Sequence, residues 1–313
     1  MINDPLPRLD ENSDAYKAAL RECRLSPGEV WQDVERGHRV GLLDATVAAD
    51  VAKLFGDDEA SLFINDPPYN LVAFEKRSVE EFIDWCRLWV TNSIRHMAAD
   101  CSFYVWIGAD QKDAFQPFPD FMLMMRDFPL DARSLITMRN QRGYGTQKNW
   151  MAVRQELLFY VKGGPHFQVI YTDIPKILKG YYKKIGGEIK ENMERSKSDT
   201  IRPGNVWVDI QQVFYRMEEN ISGCYAQKPM KAADRIIQTS SRANDIVCDL
   251  FSHSGTTLIA AELLNRQCYT IDNDPVFCEI TIRRLEHYRM TGKTGWQNGN
   301  AFADADEQPI LFG

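Results

Sequence analysis

No two of the seven cysteines stand as Cys-x-x-Cys, and their number is odd. The spacing supports neither a zinc ribbon nor a disulfide framework, so Cys23, Cys86, Cys101, Cys224, Cys248, Cys268 and Cys278 are read as reduced core residues. No metal is expected. No apolar run is long enough to span a bilayer, and MINDPLPRLDENSDAYKAAL lacks the basic start and apolar core of a signal peptide. The expectation is a soluble cytoplasmic protein without a membrane partner. Gly-x-Gly-x-x-Gly is also missing, which weakens a nicotinamide-dependent reading. Positive charge is scarce, with 37 Lys and Arg against 44 Asp and Glu and a formal net charge of −7. That total opposes contact with a polyanion.

The distribution of charge along the chain points the other way. From Arg133 to Lys190 eleven basic residues face three acidic ones, so a strongly basic window sits inside an acidic chain. Its alternative explanation is a solvated Lys-rich surface. At 44% hydrophobic and 26% charged, the 313 residues have an ordinary globular composition.

Seven short apolar or β-branched runs read as strands: 40–43, 61–65, 102–107, 134–138, 157–161, 246–250 and 268–271. Helical periodicity covers 79–99, 231–241, 256–265 and 275–288. Strands alternating with helices predict a mostly parallel sheet covered on both faces. Residues 1–37 read as an arm or helix outside the sheet, 38–162 and 223–290 as two halves of one α/β domain, and 291–313 as a tail. The rhythm breaks over 163–222, with Gly-Gly pairs and a charged tract, and an insertion is expected there. The apolar tract 115–128 is read as core, with a subunit interface, and hence a homodimer, as the alternative.

Asp66-Pro67-Pro68-Tyr69 directly follows the apolar run Leu62-Phe63-Ile64. Two prolines leave the backbone few conformers, so a carboxylate and a carbonyl can stay aimed at one point at a strand's carboxyl end. An aromatic amine such as adenine N6 is a poor nucleophile because its lone pair is delocalised. Two fixed acceptors on its N–H groups favour the pyramidal, nucleophilic form. Tyr69 offers a stacking face for a base rotated out of a helix. A plain turn is the alternative.

The second signal is Asp245 to Thr257, an apolar strand, a loop of small residues and a helix start. Such a loop brings N–H groups to a cofactor, and the helix N-terminus favours its carboxylate. Asp272 closes the next strand where a ribose diol needs a carboxylate, although a helix-capping role before Pro275 is equally open. Arg139-Asn140-Gln141-Arg142-Gly143-Tyr144-Gly145-Thr146-Gln147-Lys148 reads as a loop whose forked donors and amides suit base edges, or as a plain surface loop.

These residues resemble the β class of DNA amino-methyltransferases, in which D-P-P-Y precedes F-x-G-x-G with target recognition between them. The resemblance covers roughly residues 40–288. It extends to Asp44 twenty-two positions before Asp66, to Gln155-Glu156 on a strand, to Asn205-Val206-Trp207, and to Gln227-Lys228-Pro229 before a helix. It implies a Rossmann-like, seven-stranded S-adenosylmethionine-dependent methyltransferase fold with a small target-recognition insertion. It further implies catalysis by Asp66, Pro67, Pro68 and Tyr69. The cofactor site implied is Asp44, Lys228, Asp249, Phe251, His253, Ser254, Gly255, Thr256 and Asp272. Contacts to double-stranded DNA would come from Arg139, Asn140, Arg142, Lys148, Lys183 and Lys184. The setting would be restriction–modification or regulatory marking.

Two positions depart from the pattern. His253 replaces the first glycine of F-x-G-x-G, and Cys224-Tyr225-Ala226 replaces His-Pro-Thr. An imidazole there is expected to crowd the ligand or shift the backbone. The activity implied is methylation of adenine N6, because cytosine-N4 members more often carry Ser before Pro-Pro-Tyr. Cytosine N4 is the nearest alternative, and a non-catalytic DNA-binding subunit unable to bind the cofactor is the rival from another class.

Overall fold

The computed structural model describes residues 13–69, 77–108, 114–144, 148, 150–176, 182–191 and 198–303. Among these residues eleven strands run in chain order: β1 Val30–Gln32, β2 Arg39–Leu42, β3 Ala60–Asn65, β4 Met97–Ile107, β5 Asp131–Tyr144, β6 Ala152–Lys162, β7 Tyr182–Ile185, β8 Glu188–Glu191, β9 Val206–Trp207, β10 Ile246–Asp249 and β11 Gln267–Asp272. The helices are α1 Asp14–Leu20, α2 Ala48–Phe55, α3 Val79–Arg95, α4 Phe118–Met124, α5 Met230–Ser240, α6 Thr256–Leu263 and α7 Pro275–Thr291. No helix among the described residues is long and apolar enough to cross a membrane.

Nine strands form one sheet in the order β1-β2-β11-β10-β3-β4-β6-β5-β9. The seven strands expected from sequence are its seven contiguous inner members. β2, β11, β10, β3 and β4 are mutually parallel, and β6 runs against both β4 and β5. This is the mostly parallel sheet the sequence pattern predicts, and the Rossmann-like one the resemblance implies.

Alternation along each strand builds the two cores. Leu62, Ile64, Tyr104 and Trp106 face a layer made by α5, α6 and α7. Phe63, Phe103, Val105 and Ile107 face the opposite layer, made by α2, α3 and α4. The start of α3 is fixed by a capping box, Ser78 accepting from the Glu81 backbone while the Glu81 side chain accepts from Ser78. Phe82, Cys86, Trp89 and Val90 then share its buried face.

Four boundaries differ from expectation. Helical periodicity runs on to Ala99, but α3 ends at Arg95, because the Ala60 amide takes the His96 carbonyl and residues from Met97 pair with β3. The segment before residue 38 is not all outside the sheet, since β1 pairs antiparallel with β2. The 139–148 segment is not a loop throughout. β5 continues to Tyr144, whose pairing with Ala152 extends the β5–β6 ladder past a register shift. The tract 115–128 is divided, with Phe121, Met124 and Met125 buried and Phe115, Met122 and Leu123 exposed.

Within 163–222 lies a separate hairpin, β7–β8, turned by Gly186 and Gly187 at φ of 61° and 89°. Both residues of this two-residue turn are left-handed, which glycine permits at no steric cost. The same segment returns through β9 to the sheet edge beside β5. Six of the seven free cysteines are buried and Cys23 is half-buried.

Candidate active site

β3 and β10 are parallel neighbours, with Val247 opposite Leu62 and Cys248 opposite Phe63. From β3 the chain proceeds to β4 on one side, and from β10 to β11 on the other. A crevice opens at the carboxyl ends of strands where connections diverge in this way. There lies a cavity that encloses about 430 Å³ of space, part of it open to solvent. Ile64 and Asp66 enter it from the end of β3, Trp106 from β4, Lys228, Ala232, Ala233 and Ile236 from α5 and its approach, and Asp249, Phe251 to Ser254, Thr256 and Thr257 from the end of β10 to the start of α6.

Asp66 is the first residue beyond β3. Its Oδ1 accepts from the Tyr69 hydroxyl at 3.0 Å, and its Oδ2 lies 2.7 Å from Lys228 Nζ. Pro67 is buried and Pro68 is exposed. Burial, with the Asp66 charge beside it, raises the Tyr69 phenol well above its ordinary value, so the hydroxyl stays protonated and donates. Gly108, just past β4, makes room for the Tyr69 ring. A Cβ there would stand 2.9 Å from Tyr69 Cδ2.

The opposite wall is organised by Asp249. Its Oδ1 accepts from the Phe251 amide at 2.9 Å and its Oδ2 from the Thr257 hydroxyl at 2.5 Å, and burial pushes this carboxyl up to about 7. The Phe251 ring packs edge-on to Trp89 at 5.3 Å, which anchors the loop to α3. His253 keeps the glycine-like backbone of its position, with φ of 45°. Its imidazole lines the cavity and leans on Phe277, ring centres 4.6 Å apart. Burial pushes this imidazole down to about 4, so it is neutral at pH 7. Gly255, at φ of 72°, lies so close to α7 that a Cβ would meet Thr281 at 3.0 Å, and α6 begins at the next residue.

Asp66, Lys228, Asp249, Phe251, His253, Ser254 and Thr256 thus converge on one cavity. Asp44, Gly255 and Asp272 do not line it. The Asp44 carboxylate accepts from the Thr46 amide and hydroxyl at 2.8 and 2.7 Å. Asp272 accepts from the His253 and Asp274 amides at 2.8 and 3.0 Å, which ties β11 to the loop, and burial pushes it up to about 7. Arg139, Lys148 and Lys184 are exposed, while the side chains of Asn140, Arg142 and Lys183 lie outside the described residues.

Several residues of the site were not singled out from sequence. Trp106 lines the cavity, and its alternation with Val105 on β4 was the available signal. Asn65, fully buried, accepts from the Leu250 amide at 3.2 Å and clips β3 to β10. A polar residue closing an apolar run was its only mark. Arg284 on α7 is fully buried and donates to the Ser254 carbonyl at 2.7 Å and the Thr256 hydroxyl at 3.1 Å. An arginine on a helix gives no sequence hint of burial.

A DNA methylase family model matches residues 60–283. The chain is 26% identical over 254 residues to the type II methyltransferase M.BamHI of Bacillus amyloliquefaciens, covering 76% of this chain and 55% of that protein. It is 26% identical over 246 residues to the DNA adenine methyltransferase YhdJ of Escherichia coli K12, covering 74% and 79%. A third relative, M.BglII of Bacillus subtilis, is covered over 64% of its length, so the chain spans roughly half to two thirds of two of these relatives. Among solved structures, the cytosine-N4-specific PvuII DNA methyltransferase superposes with a TM-score of 0.56 at 15% identity, over 78% of this chain and 84% of that one. The M1.HpyAVI–SAM complex gives 0.50 at 14%, over 78% and 98%. At these identities the structural likeness is one of fold.

Proposed function

This chain belongs to the DNA methylase family, and from that footing we propose that it methylates the exocyclic amine of a base extruded from double-stranded DNA, adenine N6 by preference. The observation that carries the reading is the convergence of Asp66 and the loop 249–257 on one cavity at the point where the sheet's connections diverge.

The methyl donor proposed is S-adenosylmethionine, which when bound supplies an electrophilic methyl group on a sulfonium. The residues fit such a group. The pocket combines apolar walls (Ile64, Ala232, Ala233, Ile236) with a few polar groups, the lining of a small-molecule site. Thr256 and Thr257 of the first turn of α6 line it, and a helix N-terminus is a favourable site for a carboxylate. His253 keeps the left-handed backbone of its position, and its ring leans on Phe277.

Asp66 and the Pro67 carbonyl accept hydrogen bonds from the target amine and hold its lone pair toward the methyl. Tyr69, set against Gly108, presents its ring to the base and its hydroxyl to Asp66. The amine proton becomes acidic only once nitrogen has gained its methyl, so Asp66 need not be a strong base. Adenine is favoured because Asp rather than Ser opens the motif, and YhdJ, matched over 79% of its length, is named as an adenine methyltransferase.

The test is transfer of labelled methyl from S-adenosylmethionine to unmethylated genomic DNA, followed by nucleoside mass analysis, with Asp66→Ala alongside. N6-methyladenine, lost in the variant by at least ~100-fold, is the expected result. N4-methylcytosine would keep the mechanism and change the base. No transfer and no cofactor binding would favour a non-catalytic subunit.

A further inference from the structure

Both oxygens of the Asp66 carboxylate are already engaged. Lys228 Nζ lies 2.7 Å from Oδ2, the Tyr69 hydroxyl donates to Oδ1 at 3.0 Å, and Nζ is 3.5 Å from that hydroxyl oxygen. The ammonium also stands 5.5 Å from the Tyr69 ring centre and 5.4 Å from that of Trp106. Its side chain is only 12% exposed. An N–H donor on Asp66 beside aromatic faces is the arrangement a target amine has to adopt, and Lys228 adopts it with the protein's own chain.

We infer that Lys228 is a place-holding cation: in the DNA-free protein its ammonium takes the amine's position on Asp66 and is displaced when a base enters. The inference rests on the methyltransferase reading. The backbone around Lys228 is tied down. Its carbonyl accepts from the Thr256 hydroxyl at 3.2 Å, the Gln227 side chain donates to the Glu219 carbonyl at 2.7 Å, and the Met230 amide donates to the Glu219 carboxylate at 2.7 Å. Displacement therefore needs only the lysine's own torsions, while the cavity wall stays in place.

The arrangement has a consequence for cofactor charge. A methyl that reaches an amine held on Asp66 brings its sulfur close to that carboxylate, and hence close to Nζ. Asp66 alone would favour a sulfonium over the neutral thioether product, and the ammonium opposes that preference. S-Adenosylmethionine and S-adenosylhomocysteine differ in this charge, so their affinity ratio reads out the cation at residue 228 without DNA and without turnover.

Calorimetric titration of DNA-free wild type, Lys228→Met, Lys228→Gln and Lys228→Arg with both compounds tests the proposal. Lys228→Met should shift the affinity ratio toward S-adenosylmethionine by at least ~10-fold, while Lys228→Arg, which retains the charge, stays within ~3-fold of wild type. Lys228→Gln repeats the measurement without charge should the methionine variant fold poorly. If the uncharged variants change both affinities equally, Lys228 is a packing residue and the inference falls while the methyltransferase reading stands. Should wild type bind neither compound, that reading fails and takes the inference with it.

Discussion

His253 adopts a backbone conformation that suits glycine, which the sequence departure at this position left undecided between a crowded ligand and a shifted backbone. At φ of 45° an L-residue bears steric strain that glycine does not. His253→Gly should therefore be more stable than His253→Ala by about 1 kcal/mol, measured by denaturant unfolding at pH 7. Equal stabilities would argue that the backbone relaxes. The imidazole also has a pH signature. Burial holds it at about 4, below the 6.5 of a free histidine, so the fold favours its neutral form. That stability is intact above pH 6.5 and is lost as pH falls toward 4. Wild type should lose more stability than His253→Gly between pH 7 and 4.5, by on the order of 2 kcal/mol. Asp249 and Asp272, pushed up to about 7, act in the opposite sense, their contribution being lost as pH rises through 7, and they are common to both proteins.

Between elements, Arg284 is the joint. From α7 its guanidinium donates to the Ser254 carbonyl and Thr256 hydroxyl at the start of α6, and its Nε donates to the Thr294 carbonyl beyond α7 at 2.7 Å. Burial lowers it only to about 10, so it remains charged at neutral pH. Arg284→Met leaves buried carbonyls unpartnered and should cost about 2–4 kcal/mol, with cofactor affinity falling in parallel. Arg284→Lys should recover only part, because one ammonium cannot span the separated acceptors that a planar fork reaches. A lysine variant with full stability would sink this account. The elements themselves were largely legible. Seven strands and four helices followed from periodicity, because alternation and 3.6-residue spacing are local properties. The end of α3 was not legible, since residues 96–99 satisfy a helical period and only pairing with β3 makes them extended.

Across the whole molecule, a net charge of −7 coexists with a basic window that includes the β7–β8 hairpin, where Lys184 and Lys190 are exposed. If that window meets phosphates, affinity for DNA falls steeply with salt. A Lys183→Ala/Lys184→Ala double variant should weaken binding to all duplexes alike and flatten the log–log salt slope by about 1–2 units, measured by fluorescence anisotropy. An unchanged slope would assign these lysines to a solvated surface.

By itself the sequence determined the parallel α/β sheet and the order of its two site-bearing segments, and it carries the proposal for Asp66-Pro67-Pro68-Tyr69, because these depend on residue type and spacing along the chain. Tertiary structure decided what depends on residues distant in sequence. Gly108 makes room for Tyr69, Asn65 clips β3 to β10, Asp272 holds the His253 amide, and Lys228 sits on Asp66 although 162 positions separate them. Such contacts have no local signature. They exist only because parallel strands bring their carboxyl ends together, so that residues remote along the chain share one cavity.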